Sequence, residues 1–246
     1  MGSDEARALD LATNGAGVNG LDVLHLQCHI GCDTISMARD GARVTGADFS
    51  ATALRRLRNL ATMCEVQVAT VASDSHDLPH DLDGTFDLVC ATNGVLCLID
   101  DINAWMHSTS RVLRKSGKLV LVELHPLFLM IDNVEPLVIN FPYNYDGTHY
   151  FRGQCSYANR DAEVTWATTQ YAHSVAEVVM ASMEAGLRTT YLKESTSMSF
   201  DPRGRGGEIG DDGRYRFRIG EGIEEGGQRS PTLPRALLFT LLAEKS

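Results

Sequence analysis

Between residues 21 and 124 the chain repeats one unit: a short, solidly apolar run, a turn, then a segment with helical spacing. The apolar runs fall at 21–28 (LDVLHLQC), 43–48 (RVTGAD), 65–71, 86–92 (FDLVCAT) and 118–124 (KLVLVEL). Between them, helices are expected at 34–39, at 51–63 behind the N-cap Ser50, and at 100–113, stopped by Ser116-Gly117. Strands that are apolar on both faces belong to a parallel sheet covered on both sides. Right-handed crossovers then fix an α/β, doubly wound, Rossmann-like domain. In such a sheet ligands bind outside the carboxyl ends of the strands, so those ends carry the functional reading.

The rhythm breaks after Pro126. Residues 127–170 are rich in aromatics, Asn and Gly without helical period and read as an inserted, irregular or antiparallel cap. A helix at 174–185 closed by Gly186, a strand at 187–194 and a strand at 236–244 follow, the last two separated by a Gly- and charge-rich excursion at 201–234. Residues 1–20 read as a short arm with at most one helical turn near Glu5 to Leu11, and 21–246 as a single domain. With 22 basic against 32 acidic residues, the net charge of −10 disfavours nucleic acid and anionic lipid. No run approaches the ~20 apolar residues of a membrane helix, and the six scattered cysteines without a leader fit a reduced, cytoplasmic protein.

The strand ends hold a recognisable set. His25-Leu26-Gln27-Cys28-His29-Ile30-Gly31 makes a strand, tight turn and helix start, the usual cradle for the charged end of a ligand. Asp48 ends the second strand, where a carboxylate can accept both ribose hydroxyls. Asp74 follows the third, placed to read an exocyclic amine, and Asn93-Gly94 follows the fourth. Together they describe a nucleoside site. A dinucleotide would need G-x-G-x-x-G, of which only Gly31 is present, so a cofactor without phosphates fits better.

The motifs LHLQCHIGCDT (Leu24 to Thr34), VTGADFS (Val44 to Ser50), ELHP (Glu123 to Pro126) and YAHSVAE (Tyr171 to Glu177) resemble those of a bacterial branch of the class I S-adenosylmethionine-dependent methyltransferases. The resemblance runs from about residue 21 to the end, poorest at 201–234. It implies a sheet of order 3-2-1-4-5-7-6 with the last strand antiparallel, and S-adenosyl-L-methionine as cofactor. The acid and three glycines usual in the first turn are here His25, Gln27, His29 and Gly31, so the side chains of Gln27 or His29 and the turn amides are expected at the methionine carboxylate.

The expected cofactor-binding set is Gln27, His29, Gly31, Asp48, Phe49, Asp74, Ser75 and Asn93. His173 and His125 are the candidate general bases, imidazole being the natural base near neutral pH. Glu123, Tyr143 and Tyr171 are expected at the acceptor, beneath a lid to which Tyr145, Tyr150, Phe151 and Tyr157 could add. Cys28 and Cys32 read as packing residues; no metal is expected. The alternating Arg214, Arg216 and Arg218 read as solvated or paired with Asp211, Asp212, Glu224 and Glu225. The reading is methyl transfer to an O or N atom of a small metabolite, with a homodimer allowed. Its alternatives are a protein that binds the cofactor without transferring methyl, as a cyclase or sensor, and a NAD-dependent oxidoreductase.

Overall fold

The structure, a computed structural model, describes residues 1–133, 138–141, 143, 145–153, 165–200, 208–216, 224–225, 228–229 and 237–246. Seven strands form the central sheet: β1 (Asp22–Leu26), β2 (Arg43–Asp48), β3 (Val68–Ala72), β4 (Phe86–Thr92), β5 (Leu113–Leu124), β6 (Leu187–Ser195) and β7 (Leu238–Lys245). Their order is β3-β2-β1-β4-β5-β7-β6. Strands β1 to β5 pair parallel, and β7 runs antiparallel between β5 and β6. This is the expected doubly wound α/β topology.

Apolar residues on both faces of each strand explain the layers. Leu24 and Leu26 of β1, Leu119 and Leu121 of β5, and Phe239 and Leu241 of β7 face one core with Trp105 and Val178. Their neighbours Val23, Val120, Val122 and Leu242 face the other, with Leu9 and Met37. Helices α2 (Cys32–Arg39), α3 (Ala51–Met63), α4 (Ile102–Val112) and α6 (Val175–Glu184) cover those faces, and a short α5 (Pro126–Leu129) follows β5. Ser50 caps α3 by accepting the Ala53 amide at 3.2 Å, and Ser174 with Glu177 makes a capping box on α6. The chain turns extended at Leu113, before Ser116-Gly117, because β5 pairs Leu113 with Phe86 of β4.

The amino terminus departs from expectation. Ser3–Ala12 is a full ten-residue helix, α1, rather than one turn on a loose arm. Ala8, Leu9 and Ala12 make its buried stripe against the β-sheet, joined by the acid Glu5. Tertiary burial stabilises what propensity alone would leave marginal. A second clasp comes from the long excursion. Arg214 meets Asp4 at 2.6 Å and donates to the Ser197 hydroxyl at 2.7 Å, while the Ser199 amide donates to Asp4 at 2.9 Å. Arg216 pairs with Asp212 at 2.6 Å as the sequence suggests, and Arg218 lies outside the described residues. In the cap, Tyr145–Gly153 pairs antiparallel with Trp166–Ala172, and the second strand packs on the turn Leu96–Leu98 after β4.

Candidate active site

A cavity of about 270 Å³ opens at the carboxyl ends of β1, β2 and β3. Gln27, Asp48, Phe49, Asp74, Ser75 and Ile99 are among the residues that line it. The turn after β1 is built for this place. Gln27 and His29 both adopt positive φ (49° and 52°). Gly31, at φ 79°, starts α2, where a Cβ would run into the Leu57 side chain of α3. Leu57 also presses on Gly46 of β2, whose added Cβ would sit 2.7 Å from it. Two glycines thus let α3 close on the turn.

Asp48 is 8% exposed. One carboxylate oxygen accepts the His29 amide at 2.9 Å and the other the Ser50 amide at 2.8 Å, which ties the first turn to the second. Each oxygen keeps a further lone pair, and the residue borders the cavity. Phe49 projects at the rim, 78% exposed, an apolar face with nothing packed on it from the described residues to hide it. Asp74 accepts both the amide and Nδ1 of His76 on its Oδ1, at 2.9 and 2.7 Å, and these bonds hold its carboxyl below the ordinary value. Its other oxygen has no partner among the described residues.

Several expected site residues turn out to be occupied elsewhere. The Gln27 side chain accepts from Trp105 Nε1 at 3.0 Å and donates to the Val95 carbonyl at 3.1 Å. It pins α4 and the loop after β4, so only its backbone and the flank of its side chain serve the cavity. Glu123 is 3% exposed and accepts four backbone amides: Gly94 (2.5 Å) and Leu124 (2.6 Å) on one oxygen, Val95 (2.8 Å) and Leu96 (2.9 Å) on the other. Burial pushes its carboxyl above the ordinary value while the amides pull the other way. It clamps the loop and has no capacity left for an acceptor. His125, 1% exposed, accepts the Leu127 amide on Nδ1 at 3.1 Å and meets Glu194 through Nε2 at 2.8 Å, so both nitrogens are used. The ring caps α5 and packs edge-on to Phe239.

His173 differs. Its Nε2 donates to the carbonyl of Ile99, a residue of the cavity wall, at 2.7 Å. In the neutral ring this bond puts the proton on Nε2 and the lone pair on Nδ1, an atom with no partner among the described residues. Tyr171 is half-buried on the cap strand beside the Leu96–Leu98 turn, and Tyr143 is half-buried too. Tyr150 is exposed, Tyr145 and Phe151 lie on the cap strand Tyr145–Gly153, and Tyr157 lies outside the described residues. Asn93, at φ 46°, points its amide nitrogen at Glu5 of α1. No group of metal-binding side chains occurs among the described residues. Burial pushes the Cys28, Cys90 and Cys97 thiols up to about 12, which leaves them inert packing groups.

Residues 23–117 match the family model of a methyltransferase domain. That stretch spans β1 to the start of β5 and carries every residue of the cavity wall. Over that stretch the chain is similar to a methyltransferase domain. Solved structures share its architecture. An S-adenosylmethionine-dependent methyltransferase from Mesorhizobium loti superposes with TM-score 0.61 at 16% identity, covering 99% of each chain. One from Clostridium acetobutylicum gives 0.63 at 14% identity, covering 99% of this chain and 90% of its own. Magnesium protoporphyrin IX methyltransferase from Synechocystis, crystallised with S-adenosylmethionine, gives 0.57 at 14% identity, with coverage of 99% and 78%. At these identities the likeness is one of fold. No curated protein matches the chain. No helix among the described residues is long and apolar enough to cross a membrane.

Around this site, Glu5, His76 and Trp105 are the contributors that reading the sequence overlooked. Glu5 had a signal: it shares the helical stripe of Ala8, Leu9 and Ala12, an acid where an apolar residue belongs. His76 had a local signal, two residues after Asp74 in one turn, whereas Trp105 had none, because it reaches Gln27 across the fold.

Proposed function

We propose that this methyltransferase moves the methyl group of S-adenosyl-L-methionine to an O or N atom of a small-molecule acceptor, with His173 as general base. The observation that carries the cofactor placement is the cavity itself: two carboxylates, each with a free lone pair, spaced along adjacent strand ends below an exposed aromatic ring. Asp48 suits the ribose hydroxyls and Asp74 the exocyclic amine, with Phe49 against the base and Ser75 beside it. The His29 and Gly31 turn faces the ligand's polar tail. The cofactor supplies an electrophilic methyl group on a sulfonium, so the chain needs mainly to align and desolvate.

An oxygen or ammonium acceptor must also lose a proton. His173 Nδ1 has the lone pair to take it, and the Ile99 carbonyl holds the ring so that the proton already on Nε2 stays there. The antiparallel cap, with Tyr171 on it and Tyr143 just before it, sits where an acceptor would be enclosed. A small molecule is favoured by the net charge of −10 and by the pairing of Arg214 and Arg216 with acids rather than with solvent. Magnesium protoporphyrin, the substrate in the Synechocystis neighbour's name, illustrates the class of acceptor such a fold accommodates.

Calorimetric titration with S-adenosylmethionine, S-adenosylhomocysteine and NAD tests the reading. Binding of the first two and not the third is expected. Binding of NAD without S-adenosylhomocysteine would end the proposal.

A further inference from the structure

One imidazole joins two walls of the cavity. His76 lies in the loop after β3, with its side chain 22% exposed, and meets the carboxylates of Asp74 and Asp100. The two contacts differ in kind. Nδ1 and the His76 amide both donate to a single oxygen of Asp74, Oδ1, at 2.7 and 2.9 Å. Nε2 is buried and lies 3.1 Å from Asp100 Oδ1 without the alignment of a hydrogen bond. That second contact is one of charge, made by the protonated ring.

Burial does not fix either carboxylate, for the Asp74 and Asp100 side chains are 70% and 63% exposed. An exposed carboxylate turns freely in water, and losing that freedom on binding weakens a ligand. Two bonds on Oδ1 remove the freedom from Asp74 in advance. They also hold its carboxyl below the ordinary value, so the group is ionised and only accepts. Oδ2 is left without a partner among the described residues, and both Asp74 and His76 line the cavity.

The far side of the ring is braced. Asp100 Oδ1 also accepts the Asp101 amide at 3.0 Å, and Asp101 caps α4 by accepting the Asn103 and Ala104 amides at 3.0 and 2.9 Å. Asp100 directly follows Ile99, the wall residue whose carbonyl holds His173. Asp77, on the same loop as His76, is engaged by Arg111 at 3.6 Å instead. We infer that His76 is a positioning residue: braced by Asp100, it turns Asp74 so that Oδ2 meets the ligand as a fixed acceptor, which selects a base carrying an amino group there. The inference rests on the cofactor reading above and adds to it a residue that acts through Asp74.

Two ligands test it by calorimetry: S-adenosylhomocysteine, and the analogue whose purine lacks the 6-amino group. Wild-type protein should prefer the first by about tenfold or more, as a hydrogen bond to a fixed carboxylate implies. His76→Ala should cut that preference to about twofold, while the affinity for the analogue changes less than about twofold. His76→Asn, whose side-chain amide can donate to Oδ1 in place of Nδ1, should bring the preference back to within about threefold of wild type. Asp100→Ala should lower it by about threefold, through loss of the brace. A wild-type preference near unity overturns the inference and needs no variant. So does a His76→Ala protein that keeps the preference or weakens both ligands alike, the signature of a merely structural role. Failure of His76→Asn to rescue, or an unchanged preference in Asp100→Ala, overturns it as well. If the wild type binds neither ligand, the cofactor reading itself has failed and the inference with it, a result distinct from the others.

Discussion

Asp48 at the end of β2 and Glu123 at the end of β5 look alike in sequence: each is an acid closing an apolar strand and followed by a turn. Both are buried, at 8% and 3% exposure, and both accept backbone amides. The difference lies in capacity. Asp48 spends one lone pair per oxygen on the His29 and Ser50 amides and borders a cavity. Glu123 accepts four amides and borders none of that cavity's wall. Among the described residues the two histidines divide in the same way, His125 with both nitrogens occupied and His173 with one. A polar residue at a strand end is available for chemistry only to the extent that the fold has left its valences unspent.

That comparison can be broken at its structural pole first. Glu123→Ala should unfold the loop after β4 and cost about 3–5 kcal/mol in denaturant melts, since four buried amides lose their acceptor. Cofactor affinity per folded molecule should then be the lesser casualty. A loss below about 1 kcal/mol would show that the clamp is not what Glu123 does. Next, His173→Ala should lower turnover by roughly a hundredfold with cofactor affinity retained, the usual contribution of a general base. His125→Gln, at equal folded fraction, should leave the chemical step near wild type. Equal losses from the two would erase the distinction drawn between them.

Asp48→Ala should weaken S-adenosylhomocysteine by roughly 1–3 kcal/mol in calorimetry, from lost charged hydrogen bonds. Unchanged affinity would remove the ribose assignment. The smallest effect concerns His25, held neutral by burial and hydrogen-bonded to Thr34 at 2.8 Å. Its folded value, about 4, lies below the ordinary 6.5, so the unfolded chain binds the proton more readily between the two. Stability present above the unfolded value must fall as pH drops through that window, by on the order of 2 kcal/mol from about pH 7 to pH 5. His25→Asn should flatten that slope, and a slope unchanged in the variant would assign the pH dependence to other groups.

The sheet was legible because its signal is local and redundant. Runs apolar on both faces, turn residues between them and N-caps such as Ser50 each point to the same elements, and β2, α3 and β4 fall where the sequence places them. The lining of the cavity was legible for a related reason. Asp48, Phe49 and Asp74 occupy strand ends, and topology alone brings strand ends of neighbouring parallel strands together.

What a side chain is already doing is not written locally. Gln27 is spent on Trp105 of α4, seventy-eight residues away, and Asp4 is held by Arg214, two hundred and ten residues away. Glu5 meets Asn93 only because α1 folds against the sheet. The sequence by itself determined the layers, the strand ends and the residue types gathered there, since periodicity and turn chemistry act between near neighbours. Only the tertiary structure decided which of those polar groups still have a lone pair or a proton to offer, because hydrogen bonds are saturated by partners brought from distant parts of the chain.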